Sequence, residues 1–354
     1  MEKALRVLKW EKGIKCDPVD VEIYPTNFCN LRCRFCGTKP DPAKKEFTNE
    51  QWLSIIKEIM STDVKRLYFL GGGEPLMKRE LFQTLFKRVK KGNKFFSIVT
   101  NFTLLDRELI EEFVKFGWDD ICISLDGTED LHDFHRGRKG VFKIVKKNIQ
   151  QLQSFKKERG AKVPEIRLHT VLTCYNYDQL DRIIEFAHEQ GIQLLELDSL
   201  DTANESVKYL EIKKSQLQRF QTLLKRYIRL LERYKIKHNY ENFLENRFTF
   251  RGNNTKPKEN KNNHHPLLQT FCFLPWIKIV ISPYGEVTPC CVGFGSSEVG
   301  SFENSFEYTW KDSNYFTRLR ENMKRGEHPN FCNHCAPELI KETLWIKEWI
   351  RNEM

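Results

Sequence analysis

Val19-Asp-Val-Glu-Ile-Tyr-Pro-Thr26, continued by Asn27-Phe-Cys29-Asn-Leu-Arg-Cys33-Arg-Phe-Cys36, is the stretch on which the fold turns. Val19 to Thr26 has the composition of a buried strand. It runs directly into three cysteines at a fixed spacing, a pattern that suits a metal centre. A cubane iron–sulfur cluster is ordinarily held by four thiolates, so three on one short loop would leave an iron open to bind and reduce a substrate. A structural zinc loop and free core thiols are the competing readings. Zinc sites prefer paired C-x2-C knuckles, and no fourth ligand lies nearby in the sequence.

Around this stretch, from residue 19 to 200, short β-rich runs alternate with amphipathic helical patterns, as expected of a parallel α/β sheet or barrel. The strand candidates are Val19 to Thr26, Arg66 to Leu70, Phe95 to Thr100, Asp120 to Leu125, Glu165 to Thr173 and Gln193 to Leu197. Helical spacing predicts helices over Asn49 to Met60, Arg79 to Lys91, Asp106 to Phe116, Val141 to Lys157 and Asp178 to Gln190. Thr48 is the expected cap of the first. Ligands of such folds sit at the carboxyl ends of the strands. Beyond Leu200 a helix is expected over Lys213 to Lys235, its stripe from Leu217 to Leu231 reading as packing. Arg251 to His265 is polar and reads as a mobile surface loop. From Phe271 short strands, turns and five further cysteines mark a change of texture.

The chain is 354 residues long, enough for a substantial core. With 40% hydrophobic and 30% charged residues and no apolar run of membrane-spanning length, it reads as a soluble, cytoplasmic globular protein. Its eleven cysteines, an odd number, point to metal ligation rather than a disulfide framework. A net charge of +10 admits an anionic partner, but Lys143, Lys146, Lys147, Lys156 and Lys157 are spread as on solvated helix faces, so nucleic acid is not expected.

Cys29-x3-Cys33-x2-Cys36, with Phe35 before the last cysteine, resembles the signature of the radical S-adenosylmethionine (SAM) enzymes over about residues 19 to 200. The resemblance implies a partial (βα)6 parallel barrel whose three thiolates hold a four-iron four-sulfur cluster. It further implies that the amino and carboxylate groups of SAM fill the open iron, and that one electron cleaves SAM to a 5'-deoxyadenosyl radical that abstracts hydrogen from a substrate carbon. Gly71-Gly72-Gly73-Glu74-Pro75 resembles the family's GGE motif, whose backbone meets the SAM ammonium; only glycine allows that approach without a clash. Asn101 resembles the contact to the ribose or methionyl end. Ser124 and Asp126 resemble polar ligand contacts, although Asp126 before Gly127 also suits a plain turn. Arg136 resembles the arginine that pairs with the SAM carboxylate. His132 and His135 read as groups on the surface or behind the site.

Cys272, Cys290, Cys332 and Cys335, with Gly285 five residues ahead of Cys290, form a second set that fits either a closed cluster or a zinc ribbon. From about Phe271 to Pro337 it resembles the auxiliary-cluster domain called SPASM, or its shorter twitch form. Since no cysteine follows Cys335, the resemblance implies one fully ligated four-iron four-sulfur cluster, and two clusters in all. Cys291 is the alternative to Cys290, which the Gly-x4-Cys spacing favours. Trp276 is expected to shield the cluster. Cys122 and Cys174 lack ligand spacing and are candidate hydrogen donors to a substrate radical.

The expected division is an extension over 1–18, the barrel over 19–200, a helical connector and polar loop over 201–267, a smaller C-terminal α+β auxiliary-cluster domain over 268–340, and a C-terminal helix over 341–354. Enzymes of this layout mostly modify peptides by epimerisation, crosslinking or oxidation; others oxidise small alcohols, sugars or aminocyclitols. Either activity calls for a reducing partner such as flavodoxin or ferredoxin. Many peptide-modifying enzymes of this layout carry an amino-terminal leader-binding domain, and the short stretch before Val19 lowers the peptide reading without excluding it, since a free-standing leader-binding protein could supply that function. A zinc-binding nucleic-acid module is the non-enzymatic alternative.

Overall fold

The computed structural model describes residues 1–201, 205–244, 270, 272–335 and 337–353. Its centre is a run of six parallel strands, β1 (Asp20–Ile23), β2 (Arg66–Phe69), β3 (Phe95–Thr100), β4 (Asp120–Ser124), β5 (Glu165–Leu172) and β6 (Leu194–Ser199), hydrogen-bonded in chain order. Helices α1 (Glu2–Glu11), α2 (Asn49–Met60), α3 (Arg79–Arg88), α4 (Arg107–Phe116), α5 (Glu129–Arg136), α6 (Val141–Arg159), α7 (Leu180–Glu189) and α8 (Lys214–Arg233) precede, connect and follow them. This is the expected partial (βα)6 barrel. Strand β3 and helix α2 span the residues their patterns predict. Thr48 caps α2 through a reciprocal pair, Gln51 N–H to Thr48 Oγ1 at 3.2 Å and Thr48 N–H to Gln51 Oε1 at 2.9 Å.

Strand residues alternate between two environments. Ile23, Phe69, Phe96, Ile98, Ile123, Leu168 and Leu197 are buried against the helices. Between β2, β3, α3 and α4, Trp118 meets Phe69, Phe96 and Phe113 with ring centroids 5.4, 5.2 and 5.0 Å away, a close-packed aromatic cluster. The α8 stripe packs as expected: Phe220, Leu224, Tyr227 and Leu231 are buried in the same core.

The other face of the sheet is polar, and its groups are paired across strands. Arg66 donates to Asp20, Ser97 to Asp120 at 2.5 Å, Arg167 to Asp120 at 2.9 Å and also to Glu196; Lys278 pairs with Glu22, and His169 lies 2.8 Å from Asp198. A closed eight-stranded barrel fills its interior with branched apolar side chains. Here that space is a lumen walled by ion pairs.

The sheet continues at both edges. β7 (Lys237–His238) pairs parallel with β6. On the other side β8 (Lys278–Ile281) pairs parallel with β1, Asp20 opposite Lys278 and Ile23 opposite Ile281, and is followed antiparallel by β9 (Glu286–Thr288) and β10 (Gly300–Ser301). The C-terminal α+β region is therefore joined to the barrel through β1. The first residues, expected only as an extension, form α1, whose Lys3 pairs with Asp20 and with Glu342 of the C-terminal helix Pro337–Glu353. Arg6 of α1 is buried and donates to Asp63 Oδ2 at 2.6 Å and Asp63 O at 3.0 Å. The segment expected as a mobile loop, Arg251 to His265, lies outside the described residues. Among the described residues no helix is long and apolar enough to cross a membrane.

Candidate functional site

The loop that follows β1 carries Cys29, Cys33 and Cys36 at the carboxyl end of the sheet, and two neighbours fix its course. The first is the glycine turn after β2. Gly73 N–H donates to Thr26 O and Glu74 N–H to Phe28 O, both at 2.9 Å. A Cβ on Gly72 would stand 1.9 Å from Asn27 Oδ1, and one on Gly73 2.0 Å from Phe28 O. The glycines are thus required by the contact between this turn and the approach to Cys29, a closer constraint than the ligand approach the sequence suggests.

The second neighbour is α5. Arg34 N–H donates to His135 O at 2.9 Å, and Arg34 Nε to Phe134 O at 2.9 Å with its guanidinium over the Phe134 ring. Gly137 ends α5 at φ +69°, and a Cβ there would meet Arg32 O at 2.2 Å. Nothing in the spacing of these residues encodes the grip of this helix on the cysteine loop.

Glu74 is fully buried. It accepts from Thr100 Oγ1 at 2.6 Å, Asn101 N–H at 2.7 Å and Leu76 N–H at 3.2 Å, so it ties the β2 turn to the end of β3. Burial raises its pKa, and these donors oppose the rise. Asn101 reaches the cysteine loop: its Nδ2 donates to Asn30 Oδ1 at 2.9 Å and stands 3.9 Å from Cys29 Sγ. Phe35 is half-buried, with the Arg136 guanidinium 5.4 Å from its ring centroid.

Arg136, the last residue of α5, is buried; its Nη1 lies 3.6 Å from Cys33 Sγ and its Nη2 2.6 Å from Asp126 Oδ2. Its Nε has no hydrogen-bond partner. An orphaned, buried guanidinium donor beside a cysteine thiol is the setting a ligand carboxylate would complete. Burial acts to raise the pKa of Asp126, but Arg136 together with the neighbouring His132 and His135 and the Val171 N–H holds the carboxyl below its ordinary range. Asp126 also accepts from Val171 N–H at 3.0 Å, which makes it a brace between β4 and β5. His132 and His135 are buried, not superficial: His132 Nδ1 accepts from Asp126 N–H at 3.2 Å, and His135 Nε2 lies 2.9 Å from Thr173 Oγ1. Burial drives the His132 pKa down to about 3, so this ring is neutral.

Ser124 ends β4, half-buried and in register with His169 on β5. The His169–Asp198 pair is absent from the sequence reading, as are Glu22, Arg167, Glu196 and Lys278. Charges in alternating strand positions read as solvated; only the sheet reveals that they face one another. Burial opposes protonation of His169, but the Asp198 carboxylate prevails and lifts its pKa. Cys122 is buried on β4, its thiol pushed up to about 12 by burial; Cys174 donates its thiol hydrogen to Tyr209 O at 3.5 Å.

Cys272, Cys290, Cys332 and Cys335 line one cavity, with Leu274, Pro275, Val292, Met323, Phe331 and Leu339 among its other walls. Cys291 is not on that wall, and neither is Trp276, whose neighbours Leu274 and Pro275 supply the shielding expected of it. All four thiols are unbridged. Burial raises the pKa of Cys272, Cys290 and Cys332, so thiolates in this apolar wall require a cationic centre. Four thiols from three segments of the chain thus share this one cavity. Its position follows from register. Cys272 precedes β8, and Cys290 follows the return strand β9, so the cavity lies at the amino end of β8, opposite the Cys29 loop.

A half-open parallel barrel with a three-thiol loop at one end, a four-thiol cavity at the other and a charged lumen between them defines a protein built for two unlike iron–sulfur centres. Family models match both regions: the Radical SAM superfamily over residues 23–187 and the iron-sulfur cluster-binding domain SPASM over residues 272–336. The chain belongs to the radical SAM superfamily and carries a SPASM-type domain. Its cofactors are SAM and two four-iron four-sulfur clusters.

The chain is 28% identical over 204 residues to the sporulation killing factor maturation protein SkfB of Bacillus subtilis, covering 55% of this chain and 46% of that protein. It is 25% identical to the cysteine-type anaerobic sulfatase-maturating enzyme of Clostridium novyi, covering 89% and 90%. The crystal structure of Streptococcus suis SuiB bound to S-adenosylmethionine superposes with a TM-score of 0.63 at 20% identity, covering 89% of this chain and 71% of that one. The chain thus spans about half the length of the first of these relatives.

Proposed function

We propose that this protein modifies a peptide by radical SAM chemistry, with an oxidative outcome. The observation that carries the reading is the lumen of paired charges between the two cysteine sets, with His169, opposite Ser124, paired to Asp198 at its mouth. A polar wall of this kind suits a peptide segment with its amides and charged side chains, and relatives whose names describe protein and peptide maturation support it. A solved form of SuiB is bound to a precursor peptide, SuiA.

In this reading Cys29, Cys33 and Cys36 hold the SAM cluster, and Cys272, Cys290, Cys332 and Cys335 the auxiliary one. When bound, the SAM cluster and SAM supply a carbon radical that can abstract a hydrogen atom. The chain's residues do the rest. Arg136 turns its free Nε to the SAM carboxylate while Asp126 keeps the guanidinium in place. Glu74 and Asn101 hold the β2 and β3 ends against the cysteine loop, and Gly72, Gly73 and Phe35 shape the pocket. Asp198 orients His169, which accepts the proton that an oxidised substrate gives up. Cys122 shares the lumen face of β4 with Asp120 and Ser124 but is almost fully buried, and Cys174 gives its thiol hydrogen to Tyr209 O; this weighs against epimerisation. A low-potential donor such as flavodoxin or ferredoxin supplies the electron.

Anaerobic purification tests the reading. Two cubane clusters correspond to about eight iron per chain, and reduced protein with SAM should release 5'-deoxyadenosine. Zinc in place of iron, or release that persists in Cys33→Ala, would refute it.

A further inference from the structure

Lys278, the first residue of β8, leaves the sheet on its polar face and pairs with Glu22 on β1. The two side chains are only 11% and 12% exposed, so solvent screens them little. Lys278 stands opposite Asp20 at the amino end of β8, the end at which Cys272 and Cys290 meet, and Glu22 lies two positions further along β1, opposite Val280. Lys278 is the cation whose charge reaches both thiols, and Cys291 as well. Other charges stand near one thiol or another: Glu342 and Lys347 of the C-terminal helix beside Cys272, and Glu298 beside Cys332. Lys278 and Glu22 differ from these in standing on the polar, lumen face of the sheet.

We propose that the Lys278–Glu22 pair sets the electron affinity of the auxiliary centre, the ammonium raising it and the carboxylate trimming it. The inference rests on the assignment of the four thiolates under Proposed function. A fixed positive charge in a poorly screened site stabilises the more negative oxidation state of its neighbour, and a fixed negative charge does the opposite. Lys278 is thus a positioning charge. It leaves the thiolates as ligands and biases what they hold toward accepting an electron from the lumen side, which an oxidative outcome needs. Because the same cation touches Cys290 and Cys291 electrostatically, the effect holds whichever of the two is the ligand.

The test uses the full chain with Cys29, Cys33 and Cys36 all changed to Ala, so that only the auxiliary centre is loaded. Its midpoint potential is read by EPR during an equilibrium titration with dithionite and viologen mediators. Lys278→Met should move the midpoint to more negative values, Lys278→Arg should keep it near the parent, and Glu22→Gln should move it to more positive values. Opposite signs for Lys278→Met and Glu22→Gln are what structural damage does not produce. Shifts of the same sign, or no shift in Glu22→Gln, overturn the proposal. If Lys278→Met loses its iron, the Glu22→Gln shift still decides it. A parent that binds no iron–sulfur cluster instead refutes the ligand assignment on which the proposal rests.

Discussion

Cys29, Cys33 and Cys36 occupy one loop at the carboxyl end of β1, held by hydrogen bonds from the β2 turn, α5 and Asn101. Cys272, Cys290, Cys332 and Cys335 come from three separate segments and meet in an apolar cavity at the amino end of β8. The first set has polar neighbours with donors to spare, such as Arg136 Nε; the second is closed by Leu274, Met323, Phe331 and Leu339. Three thiols beside an unfinished polar site leave room for a ligand. Four thiols inside an apolar wall leave none. On the ligand assignment proposed above, the difference in surroundings accompanies the difference in ligand number and separates the tasks of the two centres.

The comparison breaks most sharply in cysteine variants. Cys33→Ala should abolish 5'-deoxyadenosine release and lower iron by about half, whereas Cys332→Ala should lower iron by about half and leave release largely intact. Equal losses of release in both would erase the distinction. Next in size is Arg136→Met, which strands the Asp126 carboxylate in the interior and should cost about 3–5 kcal/mol in urea unfolding, together with weaker SAM binding by calorimetry. Trp118→Ala serves as the control distant from both sets. It should cost about 3–5 kcal/mol through the lost aromatic cluster while leaving the iron content unchanged.

Gly137→Ala sharpens the comparison locally. Its positive φ and the 2.2 Å approach to Arg32 O predict strain of about 1–3 kcal/mol and iron loss confined to the first set. The smallest effect concerns pH. His169 has a raised pKa in the fold, so its pairing with Asp198 contributes stability below the unfolded value of about 6.5 and loses it as pH rises through the folded value. With Asp198 40% exposed, that contribution is at most about 1 kcal/mol. Asp198→Asn should flatten this pH dependence above about pH 6.5 in urea melts; an unchanged slope would remove the pair from the account. Asp126 acts in the opposite sense. Its lowered pKa contributes stability above about pH 3.9, lost as pH falls through the folded value.

Much of the barrel was legible because its signals are local. Phe95 to Thr100 and Asn49 to Met60 carry strand and helix periodicity within their own residues, and the three-cysteine spacing is read at sight. What escaped is what the sheet brings together from afar. Glu22 and Lys278, or Arg66 and Asp20, are ordinary charged residues until parallel pairing sets them side by side. The same holds for α5: Glu129 to Arg136 is a short polar stretch, and its grip on the cysteine loop rests on the contact of Gly137 with Arg32, which spacing does not encode. The glycine turn is legible in its spacing, whereas its close approach to Asn27 and Phe28 joins residues distant in the chain and is visible only in the fold.

The measurement that bears most directly on the two-centre account is EPR of the reduced protein with and without SAM, compared between the parent and the Cys29, Cys33 and Cys36 triple Ala variant. The account predicts that SAM changes the signal of one cluster in the parent, and that the signal remaining in the triple variant is indifferent to SAM. A SAM-sensitive signal in the triple variant, or a parent spectrum that SAM leaves unaltered, would contradict it.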